Sequence, residues 1–104
     1  MYIITGARQS LKGKATISEE LEKQTWIMRE QGSGTREMLE DFFQKNHIHP
    51  KRVIILGSTQ TIKEGIEAGL GISLLFDLSL KKELHLHTIE KPEVKGTPIQ
   101  RGFR

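Results

Sequence analysis

The 104-residue sequence has no cysteine, only three prolines, one tryptophan and one tyrosine, and no long apolar run. Without cysteine there are no disulfides and no thiolate metal sites, which is typical of a reducing compartment, so we expect a cytoplasmic protein. No stretch approaches the roughly 20 apolar residues of a membrane span. The N-terminal run Tyr2–Ile4 is too short for the core of a signal peptide, so we expect neither membrane insertion nor export.

The charge is basic overall but unevenly distributed. Sixteen Lys and Arg residues and thirteen Asp and Glu residues give a net charge of +3. Residues 1–15 hold three bases and no acid, and residues 81–104 hold six bases and three acids, so the basic excess lies at the two ends. No predicted helix carries a basic stripe, so nucleic-acid binding by this chain is only an alternative.

Apolar runs that alternate with amphipathic segments predict an α/β fold. Strand-length runs are followed by segments with apolar residues at helical spacing, which indicates right-handed βαβ units. We therefore predict a Rossmann-like parallel sheet with helices on both faces. The predicted strands are Tyr2–Thr5, Trp26–Met28, Val53–Leu56 and Ile72–Phe76, and the predicted helices are Arg36–Asn46 and a segment with Ile62, Ile66, Gly69 and Leu70 on one stripe.

Weaker signals predict shorter elements near both ends. A helical turn is expected at Ser18–Glu22 and another through Lys81–Glu83, with Asp77 or Ser79 as its N-cap. The alternation of Leu84–Ile89 predicts an exposed strand, and Ile99–Phe103 is a further possible strand.

Two loops predict a binding site for an anion. Each follows a predicted strand and opens a predicted helix with glycine and hydroxyl residues. Ligands of parallel α/β sheets bind beyond the carboxyl ends of the strands, where helix N-termini present free N–H groups and partial positive charge. The candidate residues are Ser33, Gly34, Thr35 and Arg36 in one loop, and Gly57, Ser58 and Thr59 in the other.

Simpler explanations exist for these loops and for the other motifs. Ser33 and Thr59 can serve only as helix caps, and the glycines only as turn residues. No complete phosphate-binding loop or nucleophile elbow is present. The His47/His49 and His85/His87 pairs have no third ligand nearby in the sequence, so we predict surface histidines and no metal site.

Three segments, in order, resemble one protein family. The run Trp26–Thr35 (WIMREQGSGT) continues as REMLEDFF, Leu56–Leu75 reads LGSTQTIKEGIEAGLGISLL, and Ile99–Phe103 reads IQRGF. Together they are similar to the second effector-binding subdomain of LysR-type transcriptional regulators. The similarity runs over nearly the whole chain.

The resemblance implies that residues 1–104 form a single subdomain, one half of a periplasmic-binding-protein-like effector domain. In such regulators a small-molecule effector binds between two subdomains, and the chain crosses between them twice. Those crossovers fall at Tyr2–Gly6 and Gly96–Phe103. The parent protein binds DNA through a helix-turn-helix, which these residues do not contain.

The family's effector contacts from this half fall on the same two loops, at Ser33–Thr35 and Gly57–Thr59. We therefore expect the chain to hold one side of a small anionic metabolite, with no catalytic residue, cofactor or metal. The resemblance also implies a homodimer or tetramer of the parent, in which Arg36–Asn46 and Val53–Leu56 face the other subunit. Without that partner, we expect Phe42 or Phe43 to be exposed and the chain to self-associate weakly.

Two further functions share the predicted fold. One is half of a solute-binding protein used in transport, and the other is a small α/β enzyme that uses an anionic substrate. The first would need an export signal or lipid anchor upstream, and the LysR-like loops of this chain argue against it. The second lacks a nucleophile to pair with Glu30 or Asp77.

Overall fold

A computed structural model describes residues 2–6, 18–76 and 80–91, with the side chains of Ser18 and Glu19 left out. Strands and helices alternate along most of the chain, as predicted. The elements are β1 (Tyr2–Gly6), α1 (Ser18–Glu22), β2 (Thr25–Met28), α2 (Gly34–Lys45), β3 (Arg52–Ile55), α3 (Thr59–Glu67), β4 (Ser73–Leu75), α4 (Lys81–His85) and β5 (Ile89–Glu90).

The central strand β2 has a parallel neighbour on each side. It pairs with β3 from Thr25↔Arg52 to Met28↔Ile55, and Trp26 forms a parallel bridge with Ile72, just before β4. The strands therefore follow one another in the order β3, β2, β4, β1, β5. This arrangement confirms the α/β fold class and the parallel βαβ units.

The sheet is nevertheless mixed. The prediction of a parallel sheet holds for β3, β2 and β4 but is wrong for the pairings of β1. Strand β1 lies antiparallel between β4 and β5. The direction of a strand follows from a short crossover only when two neighbouring strands are consecutive in sequence. Since long stretches of chain separate β1 from both of its neighbours, its apolar run carried no information on direction.

Two apolar clusters cover the two faces of the sheet. Because successive strand side chains point to opposite faces, Trp26 and Met28 join the first cluster and Ile27 joins the second. Helix α2 contributes to the first cluster, where the Trp26 and Phe43 rings meet edge to face at 4.8 Å. Helix α3 and the strands β1 and β5 contribute to the second. The expectation of helices on both faces is confirmed.

The predicted strand at Leu84–Ile89 is wrong. Helix α4 continues through His85, and only Ile89 and Glu90 form strand β5. Leu84 packs against the second cluster whereas Leu86 is exposed, so the alternating pattern comes from one helical contact and one solvent-facing residue. Asp77, Ser79 and Ile99–Phe103 lie outside the described residues, while the predicted turn at Ser18–Glu22 is confirmed as α1.

Strand β3 has exposed apolar side chains, whereas the two phenylalanines of α2 do not. Phe42 and Phe43 are buried, so the expectation that one of them is exposed is wrong; Phe43 packs against Trp26. Val53 and Ile55 are 43% and 48% exposed, although the apolar run predicted a fully buried strand. They pair with Trp26 and Met28 in the parallel register, so they lie on the α2 face of β3 without being covered there.

Two glycines after α3 have different structural reasons. Gly69 has a φ of 80°, a left-handed conformation that favours glycine, and it ends α3 just after the C-cap Ala68. Gly71 has no room for a side chain, because an added Cβ would lie 2.5 Å from the Thr25 carbonyl oxygen of β2. The close approach of β4 to β2 therefore depends on glycine at position 71.

We expect Gly71→Ala to lower the free energy of unfolding by about 1–3 kcal/mol, the usual range for overpacking. The clash is with backbone, which cannot move aside without displacing the sheet. Urea unfolding followed by Trp26 fluorescence measures the loss. Gly57→Ala is the matched control, since a Cβ there meets nothing within 4 Å. Equal stability of the two variants would contradict the close packing at Gly71.

Candidate functional site

The two predicted loops start side by side at one edge of the sheet. Met28 and Ile55, the last residues of β2 and β3, are partners in the parallel register. The Leu56 N–H donates to the Met28 carbonyl at 2.9 Å, so the pairing continues into the second loop. The structure therefore brings the carboxyl ends of both strands together, with each loop leading into a helix.

In the first loop, Ser33 is the N-cap of α2. Its Oγ accepts a hydrogen bond from the Arg36 N–H at 3.3 Å, and its own N–H donates to the Glu30 carbonyl at 3.3 Å. Gly32 turns the chain before this cap with a φ of 94°, a conformation that favours glycine. Gly34 and Thr35 are the first two residues of α2, where N–H groups have no acceptor within the helix.

In the second loop, the cap of α3 is Ser58 and not Thr59. The Ser58 Oγ accepts from the Thr61 N–H at 3.1 Å, and its backbone is extended, with φ −154° and ψ 157°. Thr59 is already the first helical residue, so the explanation of Thr59 as a cap is wrong, whereas that of Ser33 is confirmed. Gly57 precedes the cap and is exposed.

Arg36 is fixed by contacts within its own loop. Its Nε donates to Glu40 Oε2 at 3.3 Å, and its Nη1 donates to the carbonyl of Arg29 at 3.2 Å. The first bond lies within α2, and the second joins the first turn of α2 to the residue after β2. Arg36 therefore stabilises the shape of the loop, and its guanidinium is already engaged on two sides.

The sequence reasoning missed a second arginine at this edge. Arg29 directly follows β2, and its Nε and Nη2 donate to the two carboxylate oxygens of Glu30 at 2.9 and 3.2 Å. The hydrogen bond from Arg29 lowers the pKa of the Glu30 carboxyl from its ordinary value. The adjacent letters R and E, directly after an apolar run, were the only available signal.

Three of the four histidines, His47, His85 and His87, occupy turns or a helix end. His47 and His87 have φ values of 57° and 60°, each just after a helix. His85 is the last residue of α4 and His87 follows its C-cap, so the two do not lie on the strand predicted at Leu84–Ile89. Over the described ranges, no group of three or more His, Asp or Glu residues is placed to hold a metal ion.

Within the described part of the chain, no helix is both long and apolar enough to cross a bilayer.

The family model of the LysR substrate binding domain matches residues 1–104. The chain therefore belongs to this family, whose relatives are transcriptional regulators and not enzymes. The resemblance carried by the loop and strand motifs is thereby confirmed.

Two related transcriptional regulators are longer than this chain. The chain is 46% identical over 83 residues to the regulator CfxR of Cupriavidus necator, covering 80% of this chain and 26% of that protein. It is 36% identical over 103 residues to CbbR of Rhodospirillum rubrum, covering 99% of this chain and 34% of that protein. The chain thus spans about a third or less of the length of these relatives.

Solved structures of regulatory domains share the fold. The Synechocystis PCC6803 CcmR regulatory domain, in complex with 2-PG, matches with a TM-score of 0.77 and 31% identity, covering 93% of this chain and 47% of that one. The QuiR effector-binding domain, in complex with shikimate, matches with a TM-score of 0.73 and 14% identity, covering 94% and 46%. The periplasmic-binding-protein-like fold class is therefore confirmed.

The assignment of Ser58 as the cap of α3 can be tested by its effect on stability. We expect Ser58→Ala to lower the free energy of unfolding by about 1 kcal/mol, because the Thr61 N–H loses its acceptor. Thr59→Ala removes a hydroxyl and a methyl group from the next residue but leaves the Ser58 cap in place. Thermal unfolding of both variants measures the difference. A larger loss for Thr59→Ala would contradict the assignment of Ser58 as the cap.

Proposed function

We propose that the chain is one half of the effector-binding domain of a LysR-type transcriptional regulator. In this proposal it holds one side of a small anionic effector at Ser33–Arg36 and Gly57–Thr59. The observation that carries the proposal is the parallel pairing of Met28 with Ile55, which places the starts of both loops at one sheet edge. The family match favours this function over the transport and enzyme alternatives.

The two helix N-termini supply the chemistry for an anion. Unpaired N–H groups in the first turns of α2 and α3 donate hydrogen bonds, and each helix dipole places partial positive charge there. The Thr35 and Thr59 hydroxyls add neutral donors at the first turns. The 2-PG complex of the CcmR domain, 31% identical to this chain, supports a small effector at the corresponding domain.

One subdomain supplies only half of the contacts to the effector and should bind it weakly, so tight binding and closure require the second subdomain. In the parent, the effector stabilises the closed arrangement only if it binds that arrangement more tightly than the open one. Contacts from both halves provide this difference. We propose that closure is transmitted through a homodimer or tetramer to a separate DNA-binding domain, in the cytoplasm.

We expect the 104-residue chain to bind 2-PG with a dissociation constant on the order of millimolar, because half of the contacts are missing. Backbone amide NMR titration measures the affinity and the location together. The largest shifts should fall at residues 34–36 and 59–61, the first turns of α2 and α3. Inorganic phosphate serves as a second probe at constant ionic strength. Micromolar affinity, or shifts confined to other parts of the chain, would contradict a site shared between two halves.

The exposed face of β3 supports the proposed dimer. Val53 and Ile55 lie beside the buried residues Trp26 and Met28, on a strand that pairs on one side only among the residues that the structure describes. An edge strand with apolar side chains pairs or packs readily with another chain. We propose that α2 and β3 form the subunit contact of the parent and cause weak self-association of this chain.

Replacement of Val53 and Ile55 together by lysine should abolish this self-association, because charged edge residues oppose packing. Sedimentation velocity over a range of concentrations measures it. Leu86→Lys is the matched control, since Leu86 is also exposed but lies beyond α4. Loss of association in the control alone would place the contact elsewhere.

A further inference from the structure

We propose that Arg29 is a further anion-binding residue of this site and that the Glu30 carboxylate occupies its guanidinium until an effector anion displaces it. The inference rests on the proposed function, because it adds a residue to the same site. Neither the loop motif nor the helix N-termini identified Arg29 as a ligand.

The position of Arg29 follows from the sheet. It is the first residue after β2, and the preceding Met28 is bonded to Leu56 of the second loop. The Arg29 carbonyl accepts from the Arg36 Nη1 at 3.2 Å, which fixes its backbone against the first turn of α2. Arg29 therefore begins the first loop, directly after the Met28–Ile55 pair at which both strands end.

The contact between Arg29 and Glu30 has the geometry of anion recognition. Nε and Nη2 donate to two oxygens of one carboxylate, in the two-point arrangement that guanidinium groups also make with phosphate. The Glu30 carboxylate thus takes the place that an effector anion would occupy. The Arg29 guanidinium is therefore already oriented to donate two parallel hydrogen bonds before an effector anion binds.

The pair is easy to exchange. The side chains of Arg29 and Glu30 are 25% and 54% exposed, so water solvates both charges and the pairing contributes little to stability. The displaced carboxylate returns to solvent without being buried. Arg36 differs, because its bond to the Arg29 carbonyl joins the first turn of α2 to the chain just after β2, and its side chain is 18% exposed.

Substitution of the two partners should change anion affinity in opposite directions. Arg29→Gln removes the ligand and should weaken binding of 2-PG by about twofold to fivefold, the range of an exposed charge pair. Glu30→Gln removes the competitor and should strengthen binding by a similar factor. A purely structural pair predicts the same direction for both. Arg29→Lys, which keeps the charge but loses the two-point geometry, should lie between wild type and Arg29→Gln.

Matched controls separate contact from general charge. Glu37→Gln removes one negative charge from the first turn of α2, and Arg52→Gln removes one positive charge from the amino end of β3. If the affinity depends on direct contact between Arg29 and the anion, both changes should leave it within a factor of about two, since exposed charges are screened by salt. Affinities are measured by the amide NMR titration at fixed ionic strength, and thermal unfolding confirms that each variant folds.

The outcomes are distinct. If the wild-type chain shows no shift with 2-PG or phosphate at the two helix starts, the proposed function fails. If the wild type binds but Glu30→Gln does not strengthen binding, or Glu37→Gln strengthens it equally, the inference on Arg29 is overturned while the function stands. Glu30→Gln keeps the test valid even if Arg29→Gln fails to fold.

Discussion

The parallel pairing of β2 with β3 is the constraint on which the candidate site depends. Because Met28 and Ile55 are register partners, the loops that follow them begin next to each other at the same edge of the sheet. A slip of one residue would point each β3 side chain to the opposite face and separate the two loop starts. The Leu56 N–H bond to the Met28 carbonyl extends this register into the loop itself.

On its other side, β2 is hydrogen-bonded to β4 and the residue before it. Ile27 donates to the Ile72 carbonyl at 2.8 Å, and the buried Ser73 hydroxyl donates to the Ile27 carbonyl at 2.6 Å. Gly71 permits this approach because it has no Cβ. The indole N–H of Trp26 donates to the Leu21 carbonyl at 2.8 Å, so the one tryptophan fixes α1 as well as packing against α2. Strand β2 is therefore joined to most of the fold.

Patterns that reflect burial were readable from the sequence, and those that reflect long-range pairing were not. The spacing of Met38, Leu39, Phe42 and Phe43 predicted a helix, which the structure confirms as α2. The apolar run at Val53–Leu56 predicted a strand but not its exposure, because no local pattern shows that β3 lies at the edge of the sheet formed by the described strands. Strand β1 likewise gave no sign of its direction.

The site shows the same division. The cap at Ser33 was readable because N-caps require particular residue types, whereas the cap at Ser58 was missed because the adjacent Thr59 offers the same kind of side chain. The engagement of Arg36 with the Arg29 carbonyl was not readable either, since it depends on how the end of β2 faces the first turn of α2.

This contact also explains why two nearby arginines have different roles. Arg36 reaches across to another element, and its loss would leave a backbone carbonyl without that donor. Arg29 is paired with the next residue in the chain, so its loss breaks no contact between elements. Of the two, Arg29 is the arginine that can change partner without disturbing the loop.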